Sequence, residues 1–105
     1  MLMSFDISPA EYEILKSHYP EVVLIDVREE EEYETHAIQG SILKPLKDLE
    51  VWSAQLDKSK HYVVHCRSGI RSLTAVQAMV SKGFNKVQNL TGGILAWERY
   101  KGEKS

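Results

Sequence analysis

The stretch His61-Tyr62-Val63-Val64-His65-Cys66-Arg67-Ser68-Gly69-Ile70-Arg71-Ser72 passes from a short apolar strand through a polar loop into a helix. The strand is read as His61 to His65. The helix is read as Ser72 to Lys82, with apolar residues at helical spacing through Leu73, Ala75, Val76, Met79 and Val80 and a stop at Gly83. The same alternation extends in both directions. Upstream, Val22-Val23-Leu24-Ile25 is a continuous apolar run of the kind found in a strand covered on both faces, and it ends at Asp26. Downstream, Lys86-Val87-Gln88-Asn89-Leu90 reads as a last strand, and Gly92-Gly93 turns into a short helix through Trp97. Strands alternating with helices predict an α/β fold, a mostly parallel sheet with helices on both faces. In such sheets ligands bind beyond the carboxyl ends of the strands, the edge that Cys66 and the segment Asp26 to Arg28 both reach.

The remaining elements are shorter. Ser8-Pro9-Ala10-Glu11 has the form of a capping box with proline at the first helical position, so a helix is expected to about His18, before Pro20. Glu29 to Glu32 reads as a solvated first turn of a helix, not as a metal site, because no ligand spacing accompanies it. Ser41-Ile42-Leu43 is a short strand candidate, and Pro45 to Leu56 holds one or two short helical pieces. The tail from Lys101 to Ser105 is polar and expected to fray. The whole chain, 1–105, reads as one domain without linker or repeat.

Cys66 is the chain's only cysteine, and its position carries the chemistry. A thiol between a strand end and a helix start faces inward-pointing N–H groups and the positive end of the helix dipole, both of which favour a thiolate. Gly69 can take a positive φ that lets consecutive amides converge on one point. Arg67 and Arg71 offer planar forks to a sulfonate or similar oxyanion. An anionic substrate with an electrophilic sulfur fits that cradle.

With Cys66-Arg67-Ser68-Gly69-Ile70-Arg71-Ser72, the chain also carries Leu24-Ile25-Asp26-Val27-Arg28 followed by Glu32-Tyr33, then Ile38-Gln39-Gly40-Ser41, and finally Gly83-Phe84 with Leu90-Thr91-Gly92-Gly93-Ile94-Leu95-Ala96-Trp97. In these four ordered segments, from Ile7 to about Trp97, the sequence resembles the single-domain rhodanese (thiosulfate sulfurtransferase) family. The resemblance implies a rhodanese-like, five-stranded sheet. It also implies a catalytic Cys66, substrate binding by Arg67, Ser68, Gly69, Ile70, Arg71 and Ser72, and support of the loop by Asp26 and Arg28. One segment departs from the family pattern. Members usually read Gly-His-Ile-x-Gly-Ala where this chain reads His36-Ala37-Ile38-Gln39-Gly40-Ser41, so the histidine stands one place earlier and the glycine is absent.

Each residue also has a plainer reading. Arg71 on the first turn of a helix opposes the dipole unless an anion lies nearby, which points to a substrate or to an ordering partner. Arg67 can bind substrate or project into water. Ser72 can donate to a bound anion or persulfide, or serve as the helix N-cap. Asp26 and Arg28 can pair with each other or brace the loop. His65 adjoins Cys66, but strand alternation sends adjacent side chains to opposite faces, so a packing role is expected. His18, His36, His61 and His65 lack the paired spacing of a metal site. No metal or organic cofactor is expected. Trp52 and Trp97 read as packing residues.

Composition narrows the partners. Thirteen basic and 15 acidic residues leave a net charge of −2 without long blocks, which recommends neither nucleic acid nor an anionic membrane. No run approaches a membrane span, and Met1 to Asp6 lacks the form of a secretory signal. One cysteine cannot form an internal disulfide, which suits a reducing compartment, and a cytoplasmic location is expected. The expected partners are a small anionic sulfur donor and a thiol or cyanide acceptor, with a protein-borne donor or acceptor as the cellular alternative. The expected reaction is a ping-pong transfer of sulfane sulfur through a Cys66 persulfide. Two rivals stand beside it. A phosphatase or arsenate reductase would use a related but longer C-x5-R loop, whereas four residues separate Cys66 from Arg71 here. A non-enzymatic persulfide carrier or docking module would keep the cysteine without turnover.

Overall fold

Five parallel strands form the centre of the molecule, side by side in the order Asp6–Ile7, Lys86–Leu90, His61–His65, Val23–Asp26 and Ile42–Leu43. The computed structural model describes residues 5–104. In chain order these are β1 (Asp6–Ile7), α1 (Pro9–His18), β2 (Val23–Asp26), α2 (Glu30–Thr35), β3 (Ile42–Leu43), a 3-10 turn (Leu46–Asp48), α3 (Leu49–Gln55), β4 (His61–His65), α4 (Ile70–Ser81), β5 (Lys86–Leu90) and α5 (Gly93–Lys104). The expectation of a five-stranded α/β sheet holds, and every pairing is parallel. The N-terminal reading over residues 1–4 lies outside the described residues.

The central strands are buried on both faces, which their apolar runs required. Alternation divides them between two cores. Ile25, Tyr62, Val64 and Val87 join Leu49, Trp52, Val76, Met79 and Phe84 on the α3 and α4 side. Leu24, Val63 and Leu90 join Tyr12, Ile38 and Ile94 on the α1 and α5 side. Cys66 belongs to the first core and His65, one residue earlier, points the other way, as strand geometry demands.

Caps and pairings fix the ends. The Ser8 capping box forms in full, with Glu11 N–H donating to Ser8 Oγ at 3.1 Å and Ser8 N–H to Glu11 Oε1 at 2.9 Å. Two boundaries differ from expectation by two residues or more. Helix α4 begins at Ile70, two residues before Ser72, because Gly69 at φ 109° turns the chain and serves as N-cap. Ser72 is therefore not the cap; its hydroxyl lies inside the first turn and faces the loop. Helix α5 continues past Trp97 to Lys104, so the polar tail does not fray over residues 101–104. The reason is tertiary: Trp97 packs edge-on against Tyr12, and Tyr100, Lys101 and Lys104 all reach the Glu13 carboxylate on α1 at 2.7–2.8 Å.

The segment that departs from the family pattern still closes a turn, since Ser41 N–H and Oγ both donate to Ile38 O, at 3.1 and 2.7 Å. The His36 ring pairs with Glu98 on α5 at 2.9 Å at the surface.

Candidate functional site

Strand β4 delivers Cys66 to the carboxyl edge of the sheet, and α5 shapes the loop that follows. The first amides of α5 donate to the loop carbonyls, Ile94 N–H to Cys66 O at 2.9 Å and Leu95 N–H to Arg67 O at 3.2 Å. With its carbonyls held from behind, the loop turns its own amides toward the thiol. Gly69 N–H donates to Cys66 Sγ at 3.1 Å, and Ser72 Oγ lies 3.3 Å from the same sulfur. Gly69 makes this possible through its left-handed φ, which a residue with a Cβ adopts only at a cost.

These contacts set the acidity of the thiol. Burial pushes Cys66 up, but the hydrogen bonds that converge on its sulfur outweigh it, and the thiol ends below its ordinary value. A thiolate at the start of α4 also completes the dipole.

Helix α2 holds the other side of the loop. Arg71 donates to both Glu32 oxygens, at 2.8 and 3.0 Å, which resolves how a cation sits on the first turn of a helix. Its hydrogen bonds hold the Glu32 carboxyl at about 2. Glu32 is thus not the freely solvated residue expected of the run Glu29 to Glu32; it ties α2 to the cysteine loop. Both side chains are about one-third exposed, so the pair is worth about 1 kcal/mol. The contribution is present above the ordinary glutamate range and is lost as pH falls from 4.5 toward 2, because the unfolded chain takes up the proton first. Glu32→Gln is expected to lower unfolding free energy by about that amount near neutrality. In urea titrations its difference from the parent chain should vanish toward the acid end of that window; a constant difference would exclude the carboxylate as its source.

Asp26 and Arg28 pair with each other. Arg28 Nε and a terminal nitrogen reach the two Asp26 oxygens at 3.0 and 2.8 Å, and the same terminal nitrogen donates to His36 O at 2.7 Å. Both are buried, and their link to the loop is indirect. Asp26 Oδ2 lies 3.6 Å from His65 Nε2, and His65 Nδ1 lies 3.2 Å from Cys66 O. Burial holds the His65 pKa below its ordinary value despite that carboxylate, so His65 is neutral near pH 7 and donates from Nδ1 to the loop carbonyl. It packs and holds, as expected, and does not point at the thiol. Arg67 and Ser68 are exposed, and the Arg67 guanidinium makes no ion pair among the described residues; it borders a shallow groove with His36, Ile94 and Glu98. Ile70 is exposed beside the loop.

One residue at the site was not foreseen. Asn89, near the end of β5, donates from Nδ2 to Gly69 O at 3.3 Å and accepts from Ser72 Oγ at 2.5 Å. The adjacent amides Gln88 and Asn89, polar residues inside a strand expected to be buried, were the signal available in the sequence.

Comparison with known proteins places this architecture. Residues 8–100 match the family described as Rhodanese-like domain. The chain belongs to the rhodanese-like family. It is 41% identical over 78 residues to the putative sulfurtransferase YtwF of Bacillus subtilis, covering 74% of this chain and 75% of that one. It is 32% identical over 89 residues to the thiosulfate sulfurtransferase GlpE of Coxiella burnetii, covering 85% and 81%. The crystal structure of a rhodanese-related protein from Thermoplasma volcanium superposes with a TM-score of 0.79 at 32% identity, covering 90% of this chain and 91% of the other. The rhodanese-like sheet expected from the four sequence segments is therefore the observed one. Among the described residues of this rhodanese-like chain, no helix is long and apolar enough to cross a membrane.

Proposed function

We propose that the chain is a sulfurtransferase that moves sulfane sulfur through a persulfide on Cys66. The observation that carries this reading is the convergence of loop amides and the α4 N-terminus on a single buried thiol. The sulfurtransferase names of its relatives support the reaction class.

In the first step the Cys66 thiolate attacks the outer sulfur of thiosulfate. A new S–S bond forms, the old one breaks, and sulfite leaves with the electron pair. The Arg67 guanidinium and the loop amides from Ser68 to Ser72 stabilise the anion that arrives and the one that leaves. Gly69 and Ile70 shape the cradle, and Arg71, fixed by Glu32, adds positive charge at its rim. Asp26 and Arg28, paired at the end of β2, brace the adjoining end of β4 from which the loop departs. In the second step cyanide, or a thiol in the cell, attacks the outer sulfur of the persulfide and the Cys66 thiolate departs. A protein-borne persulfide can replace thiosulfate by the same exchange. The chain's lone cysteine provides no internal resolving thiol, so the sulfur leaves to an outside acceptor, and a reducing, cytoplasmic setting suits this chemistry.

Ping-pong kinetics are the expected signature. Intact-mass measurement after exposure to thiosulfate should show one added sulfur atom, discharged by cyanide. A sequential mechanism, or a protein that never loads, would defeat the proposal; loading without turnover would favour a carrier.

A further inference from the structure

Ser72 has one hydroxyl proton and two acceptors within reach: Asn89 Oδ1 at 2.5 Å and Cys66 Sγ at 3.3 Å. Which of them takes the proton is settled by a third contact. Gly69 O is an acceptor only, so the Asn89 group 3.3 Å from it must be the NH2, and the amide oxygen must face Ser72. That oxygen carries no hydrogen. A 2.5 Å contact between it and the hydroxyl therefore requires the Ser72 proton.

We propose that Asn89 is a positioning residue that holds the Ser72 hydroxyl proton away from the Cys66 sulfur. The sulfur then faces the lone pairs of Ser72 Oγ. A protonated thiol can donate to them, whereas a thiolate gains nothing from them and relies on the amides of Ser68, Gly69 and Ser72. The hydroxyl thus stabilises the resting thiol, and the thiolate that does form is more basic and more nucleophilic than one bonded by every available donor. Ser72 and Asn89 are both buried, so water does not stand in for either partner.

The other groups around the thiol stay the same when Asn89 is changed. They are Arg67 in the loop, Arg71 bound to Glu32 of α2, neutral His65 on β4, and the Asp26–Arg28 pair behind it. From α5 the loop receives the Ile94 and Leu95 amides, with Glu98 farther along the same helix. Strand β5 contributes Asn89, which is uncharged.

This inference rests on Cys66 being the reacting thiol of the function proposed above, but its test needs neither sulfur donor nor acceptor. The rate of iodoacetamide alkylation is followed against pH; with one cysteine in the chain the signal belongs to Cys66. Asn89→Leu releases the hydroxyl proton toward the sulfur and is expected to move the midpoint of the profile to lower pH, by about half a unit or more. Ser72→Ala is expected not to raise the midpoint. In the Ser72→Ala background, Asn89→Leu should have no further effect, because the hydroxyl through which it acts is gone. A midpoint raised by Ser72→Ala would show that the hydroxyl serves the thiolate directly and would overturn the proposal. So would an Asn89→Leu effect that survives without the Ser72 hydroxyl. If Asn89→Leu fails to fold, the sign of the Ser72→Ala shift decides alone. Loss of sulfur transfer with this alkylation pattern intact would count against the proposed function and leave the positioning role standing.

Discussion

Cys66→Ser is expected to reduce sulfite release from thiosulfate and cyanide to the uncatalysed background, a loss of at least about 10³-fold, while the fold survives. The argument for the loss is chemical. A serine hydroxyl in the same cradle stays protonated near neutrality and cannot hold a sulfur atom as a persulfide does. The argument for survival is geometric. Serine is close to cysteine in size; the Gly69 amide now aimed at Sγ at 3.1 Å can serve a hydroxyl oxygen, and the new hydroxyl can donate to Ser72 Oγ, which lies 3.3 Å from the sulfur. Stability should change by about 1 kcal/mol or less. Residual turnover in the variant with normal kinetics would remove Cys66 from the mechanism. Activity in neither protein would favour a persulfide carrier, and the mass of the protein after exposure to a persulfide donor would then decide.

Much of this site was legible because its chemistry is local in sequence. Residues 66 to 72 are consecutive, and the strand before them and helix after them already imply a thiol at a helix start. Gly69 was readable for the same reason, since a sharp loop needs a residue free of the left-handed penalty. The charge logic at Arg71 went one step further: a cation opposing a dipole demanded an anion, and Glu32 is that anion, supplied 39 positions away. The sequence could not name it among four consecutive glutamates. The same limit explains the two misplaced boundaries. Ser72 looks like an N-cap by residue type, but Gly69 had already turned the chain, leaving the hydroxyl to face Asn89 on a strand 17 positions away. The end of α5 is polar and carries Gly102, and propensity alone ends it near Trp97. Its persistence depends on Glu13, which only the packing of α1 against α5 brings within reach of Tyr100, Lys101 and Lys104. Asn89 escaped for a related reason, because its partners, Gly69 O and Ser72 Oγ, meet it only after β5 pairs with β4.

Two glycine-to-alanine changes in α5 should have opposite signs, and the larger effect reaches the thiol. Gly93 opens the helix at φ 60°, and a Cβ there would fall far inside van der Waals contact with the Cys66 and Arg67 carbonyl groups. Those atoms are backbone and cannot swing aside as a long side chain would. They are also the carbonyls that the Ile94 and Leu95 amides hold, so relieving the clash means separating α5 from the cysteine loop. Gly93→Ala is therefore expected to cost about 3 kcal/mol or more, the left-handed backbone supplying about 1–2 of it and the clash the remainder. Gly102 lies in the last turns of the same helix, and a Cβ there meets nothing within 4 Å. Gly102→Ala should stabilise the protein by up to about 1 kcal/mol through reduced freedom of the unfolded chain. Urea unfolding measures both. If Gly93→Ala unfolds at the parent's midpoint, the close approach of α5 to the loop is wrong. If it is destabilised as expected but still folded, Cys66 alkylation should also change, because the amides that surround the sulfur are aimed by the carbonyls that Gly93 lets α5 approach.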